Sequence, residues 1–182
     1  MDIVAHGLWA GVGVAAVARR WPVSRRAALA TVALAMVPDL AQLLPLLGAA
    51  LWRGDGVRVL SAYVAALPGF EPTLPPPVAL AVHHLHCTMH SAIVAAAVTV
   101  IVSAARRSLW WPLAGWWSHV VIDVFTHSAD FYPSPVLYPF TERGFDGMAW
   151  NSPLALVANY LALLLAAAWL WATRRKDQAA GA

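Results

Sequence analysis

Long apolar stretches, separated by short basic or proline-rich segments, run through the 182-residue chain. A helix needs about 20 consecutive apolar residues to cross the hydrocarbon core of a bilayer, and five stretches come near that length. They cover approximately residues 3–18, 27–52, 78–105, 109–127 and 153–173. The pattern predicts an all-α, polytopic integral membrane protein, in which residues 1–182 form a single domain with about five transmembrane helices.

The amino-acid composition agrees with a membrane location. Hydrophobic residues make up 60% of the chain and charged residues 12%, whereas a soluble domain carries about 25% charged residues. The net charge of +3 comes from small basic clusters and not from a long basic stripe. We therefore do not expect nucleic acid as a partner.

The distribution of basic residues predicts the orientation in the membrane. Nine of the 12 lysines and arginines lie in groups that five spans would bring to the same side, and the other three lie on the opposite side. The groups are Arg19, Arg20, Arg25 and Arg26, then Arg106 and Arg107, then Arg174, Arg175 and Lys176. Because cytoplasmic loops are enriched in Lys and Arg, we predict a cytoplasmic C-terminus and an N-terminus outside.

Histidines and aspartates interrupt the apolar spans on one side of the membrane. The stretch HHLHCTMHS at 83–91 places four histidines inside an apolar run, and no histidine lies in the cytoplasmic half of a predicted span. The full set is His6, His83, His84, His86, His90, His119 and His127, with Asp39 in the second span and Asp123 in the fourth. Ionisable residues within membranes are rare and usually functional. We expect these to converge in one polar pocket that opens toward the extracytoplasmic side.

Helical periodicity supports this convergence. Three histidines fall within about 60° on one face of the third span, and four polar residues share a stripe about 100° wide on the fourth. They are His83, His86 and His90 on the third span, and His119, Asp123, Thr126 and His127 on the fourth. Asp39 follows Pro38, and such a break in the helical hydrogen bonds is tolerated in a membrane where it lines a cavity or is buried in protein.

The chemistry of this set is typical of a metal site. Imidazole and carboxylate groups are good ligands for zinc and similar divalent ions, and this mixture suits a catalytic site better than a closed structural one. His119 and Asp123 lie one helical turn apart, so both can reach the same ion. A cation would also compensate an ionised Asp39 at mid-depth, where an unpaired carboxylate costs about 2.5–3.5 kcal/mol. We therefore expect one or two divalent metal ions, with zinc the best match.

Three other interpretations use the same residues. The polar side chains could pair only with one another, in a structural role. Two facing histidines could bind haem, although the aspartates would then be unexplained. A metal transporter would need polar residues that continue to the cytoplasmic side, where the fifth span offers only Asn159 and Tyr160.

Several short motifs resemble those of a known family. In chain order they are VAHGLWAG, MVPDLAQ, HCTMHS at 86–91, SHVVIDVFTH at 118–127 and PVLYPFTERGF. Their order and spacing are similar to those of the YdjM-like family of bacterial inner-membrane proteins, which are regarded as metal-dependent hydrolases. The resemblance implies site residues at His6, Asp39, His90, His119 and Asp123. His86 matches less closely, because Cys87 and Met89 stand where the family usually has arginine and threonine, and His83 can take its place.

These observations together predict a membrane-embedded, metal-dependent hydrolase in the bacterial inner membrane, with its site toward the extracytoplasmic side. A metal-activated water would attack a phosphoester or ester of a lipid or lipid-linked substrate. A distant similarity of the His-x-x-x-Asp element to zinc-dependent phospholipases C favours the phosphoester. The expected metal ligands are His6, Asp39, His86, His90, His119 and Asp123. Asp39 and His127 are the expected catalytic residues, with His127 as proton carrier. Arg143 and Tyr138, in the loop 128–152, are expected to contact the substrate.

Overall fold

The computed structural model describes residues 1–54, 56–66, 72–130 and 132–180, and it is all-α over these ranges, as predicted. The helices are α1 (Ile3–Val17), α2 (Arg25–Arg53), α3 (Gly56–Val64), α4 (Pro76–Met89), α5 (Ala92–Arg106), α6 (Ala114–Thr126) and α7 (Pro153–Ala180). A single 3₁₀ turn, Trp111–Leu113, precedes α6.

Two of the described helices are long and apolar enough to cross a membrane. They are α2, over Arg25–Trp52, and α7, over Pro153–Arg174. A third span is possible if α4 and α5, which are bent by 64° at the break between them, cross together. The 13 residues of α6 extend about 20 Å, which is less than the roughly 30 Å of a hydrocarbon core. Five spans and the orientation of the termini therefore remain predictions.

The predicted third span differs most from the structure, because residues 78–105 form two helices and not one. His90 ends α4, and Ser91 adopts an extended conformation and begins α5 by accepting a hydrogen bond from the Val94 amide at 3.2 Å. The Ala92 amide donates to the Val136 carbonyl at 2.9 Å. Backbone groups freed by the bend are thus satisfied within the protein, as a break at membrane depth requires.

The helices α2 and α6 pack side by side in the same direction, because glycine allows their backbones to touch. A Cβ atom at Gly115 would lie 2.0 Å from the Thr31 carbonyl oxygen. One turn further along both helices, His119 Nδ1 lies 2.8 Å from the Ala35 carbonyl oxygen. Pro38 interrupts the hydrogen bonds of α2 in this region. One more turn along both helices places Asp123 beside Asp39.

The helix α1 packs against both α2 and α6, runs in the opposite direction to α2 and turns His6 inward. Gly7 lies against Met36 of α2, and α7 packs on α1, where Trp9 donates to Asn159 at 2.8 Å. Arg19 donates to Thr173 at 2.6 Å, so the basic turn after α1 lies beside the basic end of α7. We call this the basic end of the bundle.

An apolar core closes the bundle between the polar residues and the basic end. It consists of the buried residues Ala95, Leu113, Trp116 and Val120. Three of these lie on α6 or the turn before it, on the N-terminal side of Asp123. The polar residues therefore occupy the half of the bundle away from the basic end.

The loop 128–152 folds back onto the end of α6. The amides of Gly147, Met148 and Trp150 donate to the carbonyls of His127, Phe125 and Thr126 at 2.8, 3.0 and 2.9 Å. Helices leave their last carbonyls without an internal partner, and here the returning loop supplies the donors. The loop is therefore fixed directly above the polar residues.

Candidate metal centre

Four buried side chains from three helices meet in one cluster. They are Asp39 of α2, His90 at the end of α4, and His119 and Asp123 of α6. One nitrogen or oxygen atom of each lies within 4.8 Å of the corresponding atoms of the other three. We call these four residues the metal cluster, because this donor set and spacing could hold a metal ion.

Backbone carbonyls fix the orientation of both imidazole rings in the metal cluster. His90 Nδ1 lies 2.8 Å from the His86 carbonyl oxygen, and His119 Nδ1 lies 2.8 Å from the Ala35 carbonyl oxygen. Since a carbonyl can only accept, each Nδ1 carries the hydrogen, and Nε2 of the neutral ring carries a lone pair. Metal-bound histidines are generally held in this way by a partner on the other nitrogen.

The two Nε2 atoms face one another across the metal cluster at 3.0 Å. Asp123 Oδ2 lies 3.0 Å from His119 Nε2 and 3.2 Å from His90 Nε2. Asp39 Oδ1 lies 3.5 Å from His90 Nε2. All these atoms are acceptors in this tautomeric state, so they repel one another unless a metal ion or an added proton lies among them.

Two of the carboxylate oxygens also support a cation at the metal cluster. Oδ2 of Asp39 and Oδ2 of Asp123 are buried and accept no hydrogen bond from the residues that the structure describes. Buried polar atoms without partners are rare in native proteins, and an ion or a water molecule is one partner that would satisfy these two oxygens. Two imidazole nitrogens with two carboxylates are also a donor set that zinc accepts. The residues therefore fit a divalent metal ion.

His6 stands beside the metal cluster. Its ring stacks on that of His119, with 3.8 Å between the centroids, and its Nε2 lies 2.9 Å from Asp123 Oδ1. The amino group of Met1 also contacts Asp123 Oδ1. His6 therefore shares Asp123 with the cluster, on the opposite carboxylate oxygen from the one that faces His90 and His119.

His127 lies at the edge of the metal cluster, immediately after α6. Its Nδ1 contacts the Tyr132 carbonyl, and its Nε2 lies 3.5 Å from Asp123 Oδ2 and 3.0 Å from the Met1 amino group. The loop thus orients His127 in the same way that helix carbonyls orient the two cluster histidines. Its Nε2 is directed toward the site.

The structure does not bring His86 or His83 into the metal cluster. His86 Nε2 lies 3.2 Å from the Pro133 carbonyl oxygen, and its Nδ1 lies 3.2 Å from Gln42 Oε1. Both nitrogens thus have protein partners, and His86 attaches the loop to α4. His83 is half-exposed, with its Nε2 3.4 Å from Glu142 Oε1. His84 lies outside as well, with its Nδ1 3.1 Å from the Tyr138 hydroxyl.

The two residues expected to contact substrate lie on the outer part of the loop. The Tyr138 hydroxyl contacts His84, and the Tyr138 carbonyl accepts from the Ser91 hydroxyl at 2.7 Å. Tyr138 therefore has a visible role in holding the loop on the α4–α5 break. Arg143 is exposed, and neither residue lines the cavity described next.

A cavity of about 270 Å³ adjoins the metal cluster through Asp39, and His86 and His127 also line it. Gln42 and Leu43 of α2, Tyr63 of α3 and Trp150 of the loop line it as well. None of these four was expected at the site from the sequence. Gln42 and Leu43 follow Asp39 by three and four residues and share its helix face, which is a signal that helical periodicity offers. Tyr63 and Trp150 are brought there by tertiary packing.

Comparison with known proteins identifies the family. The YdjM inner membrane protein family matches residues 1–182, the whole chain, and the chain belongs to this family. The resemblance inferred from the sequence motifs is thus confirmed, and so is the inner-membrane location. No curated protein and no solved structure matches the chain.

Proposed function

We propose that this member of the YdjM family is a membrane-embedded, metal-dependent hydrolase whose metal ligands are Asp39, His90, His119 and Asp123. The observation that carries the proposal is the approach of the two Nε2 atoms to 3.0 Å, with both Nδ1 atoms bound to carbonyls. Buried lone pairs this close are stabilised by a metal cation or by a shared proton, and the mixed imidazole and carboxylate donor set favours the metal cation. The adjoining cavity gives a substrate access to it. Zinc is the proposed ion, since it binds this mixture of ligands readily.

A divalent ion at the metal cluster would polarise the scissile group and lower the pKa of a water molecule. The protein residues position the other groups. Asp39 both borders the cavity and belongs to the metal cluster, so its carboxylate can orient a water that enters from the cavity. His127 keeps its Nδ1 hydrogen on the Tyr132 carbonyl, which leaves Nε2 to take a proton and return it to the leaving group. His6 lies against the other oxygen of Asp123, with its Nε2 2.9 Å from Oδ1.

Two alternatives receive less support from the geometry. Haem would have to lie between two axial nitrogens, but the Nε2 atoms of His90 and His119 are 3.0 Å apart, with carboxylates packed around them. Transport would need a polar path to the basic end, where the apolar core and the contact of Gly115 with Thr31 close the bundle. Hydrolysis needs only the one-sided access that the cavity provides.

Elemental analysis of purified protein tests the proposal directly. We expect stoichiometric metal in the wild type and almost none in a His90→Ala/His119→Ala double variant, because each lost imidazole removes a ligand. The matched control is His83→Ala/His84→Ala. This variant also removes two histidines, but both lie in α4 and outside the metal cluster. Equal metal content in the two double variants would contradict the proposed centre.

We also propose that the basic end faces the cytoplasm, so that the metal cluster lies toward the extracytoplasmic side and receives a lipid or lipid-linked substrate. The support is the bias of basic residues toward that end.

Cysteine labelling tests this orientation. In a Cys87→Ala background, Thr73→Cys lies before α4 and Ser108→Cys lies after α5, both at exposed positions. A membrane-impermeant maleimide added to intact spheroplasts should label Thr73→Cys at least about ten times more than Ser108→Cys, and lysis should equalise them. The reverse preference would place the metal cluster on the cytoplasmic side.

A further inference from the structure

The lining of the cavity beside the metal cluster favours some ligands over others by their charge and polarity. Its apolar part consists of Met1, Ile3, Val4, Leu43, Ala66 and Trp150. Its ionisable part includes Asp2, Asp39, His86 and His127. Among the described residues that line it there is no lysine or arginine. Gln42, Tyr63 and Tyr132 add neutral polar groups. A bound molecule therefore meets apolar surface, neutral polar groups, imidazoles and carboxylates, with no lysine or arginine among the described lining residues.

The negative charges at the cavity match the positive charges that could attract an anion. Asp2 and Asp39 line the cavity, and Asp123 lies behind them in the metal cluster. One divalent ion together with the Met1 amino group balances these three negative charges and leaves no positive charge over. A phosphate group would then enter a buried site as an uncompensated anion, which is strongly unfavourable.

The helix end at the cavity does not supply an anion site either. The N-terminus of α1 lies at the cavity, and helix N-termini generally attract phosphate. Here Asp2 caps the helix itself, because its Oδ1 accepts from the Ala5 amide at 2.9 Å. The same oxygen accepts from the Tyr160 hydroxyl at 3.0 Å, and Asp2 Oδ2 is buried with no hydrogen bond from the described residues. The helix end is therefore already occupied by a carboxylate.

We propose that the substrate is an uncharged carboxylic ester whose acyl chain occupies this cavity, and that phosphate esters are excluded; the proposal rests on the hydrolase function proposed above. In the reaction, the bond between the acyl carbon and the ester oxygen breaks and the oxygen of water bonds to the acyl carbon. One proton of the water passes to the alcohol, and the other stays on the carboxylic acid. The neutral carbonyl adds no charge to the site, and the apolar lining receives the chain.

Kinetics with matched model substrates test the substrate class. Zinc-loaded wild type in lipid nanodiscs should hydrolyse 4-nitrophenyl octanoate faster than the His90→Ala/His119→Ala variant, with kcat/KM at least about tenfold higher for octanoate than for acetate. Bis(4-nitrophenyl) phosphate should be hydrolysed no faster by the wild type than by that variant. Hydrolysis of the phosphate by the wild type alone, or no preference for the longer chain, would overturn the proposal.

Filling the cavity gives a second, local test. Leu43→Trp should raise KM for the octanoate at least about tenfold, and KM for the acetate by a clearly smaller factor. The matched control is Leu44→Trp, at a neighbouring position whose side chain is exposed. Equal effects of the two tryptophans would contradict the assignment of the acyl chain to this cavity.

A binding measurement keeps this proposal separate from the hydrolase function. If the wild type hydrolyses neither the carboxylic esters nor the phosphate ester, the hydrolase function fails. The melting temperature of the protein with each ligand then decides whether the cavity binds a neutral ester or a phosphate. Methyl decanoate should raise the melting temperature of the wild type but not of Leu43→Trp, and decyl phosphate should raise neither. No shift with methyl decanoate, or a shift with decyl phosphate that Leu43→Trp removes, would overturn the proposed ligand class.

Discussion

Replacing Asp123 by asparagine is expected to remove the metal ion and the hydrolytic activity while leaving the fold in place. Asp123 contacts both Nε2 atoms of the metal cluster through Oδ2, and His6 through Oδ1. Loss of its charge removes a ligand, and we expect metal affinity to fall by at least about 100-fold, since even residues behind the ligands contribute 10–100-fold. Metal content and ester or phosphoester turnover measure the effect.

The melting temperature of the metal-free protein should change much less than the metal affinity. The asparagine amide has the shape of the carboxylate and can donate to the Nε2 lone pairs of His90 and His119, which relieves their repulsion in the metal-free protein. Loss of the buried ion pair between Asp123 and the Met1 amino group acts against this gain, so the metal-free variant should stay folded and melt cooperatively below or near the temperature of the metal-free wild type. Asp130→Asn, at an exposed site, is the matched control. Normal metal content in Asp123→Asn would remove this residue from the centre.

Gly115→Ala is expected to lower both stability and metal content strongly, although Gly115 is not a member of the metal cluster. The new Cβ would lie 2.0 Å from the Thr31 carbonyl oxygen, so α6 would have to move away from α2. Overpacking of this kind costs about 1–3 kcal/mol. The displacement would also separate His119 and Asp123 from Asp39, so we expect a lower melting temperature together with loss of metal.

The control for this prediction is Gly11→Ala on α1, where a Cβ would meet nothing within 4 Å. That variant should keep both its melting temperature and its metal content. If Gly115→Ala bound metal normally, the close approach of α2 and α6 would not be what aligns the two aspartates.

Much of the candidate site could be predicted from the sequence, because helical spacing is a local property. His119 and Asp123 lie one turn apart on any helix, and Asp39 follows a proline that already marks a break. The basic residues predict which side of the membrane they share, and this side stays a prediction. The structure brings Asp39, His90, His119 and Asp123 together, with His6 next to them.

The rest depends on contacts between distant parts of the chain. The break at Ser91 lies in an unbroken apolar run, and carbonyls of Val136 and Tyr138, far along the chain, receive the backbone and side-chain donors there. His86 has the spacing of a ligand, but the Pro133 carbonyl lies 3.2 Å from its Nε2. No periodic pattern contains such partners, and this is why the break in the third span and the contacts of His86 with the loop could not be predicted.

The apolar core between the metal cluster and the basic end limits the direction from which a metal ion could reach the cluster. An ion that enters or leaves the cluster would travel through the cavity, since Leu113, Trp116 and Val120 fill the opposite direction. If the basic end faces the cytoplasm, maturation would then depend on the zinc concentration of the periplasm, and cytosolic metal buffering would have no direct influence on occupancy.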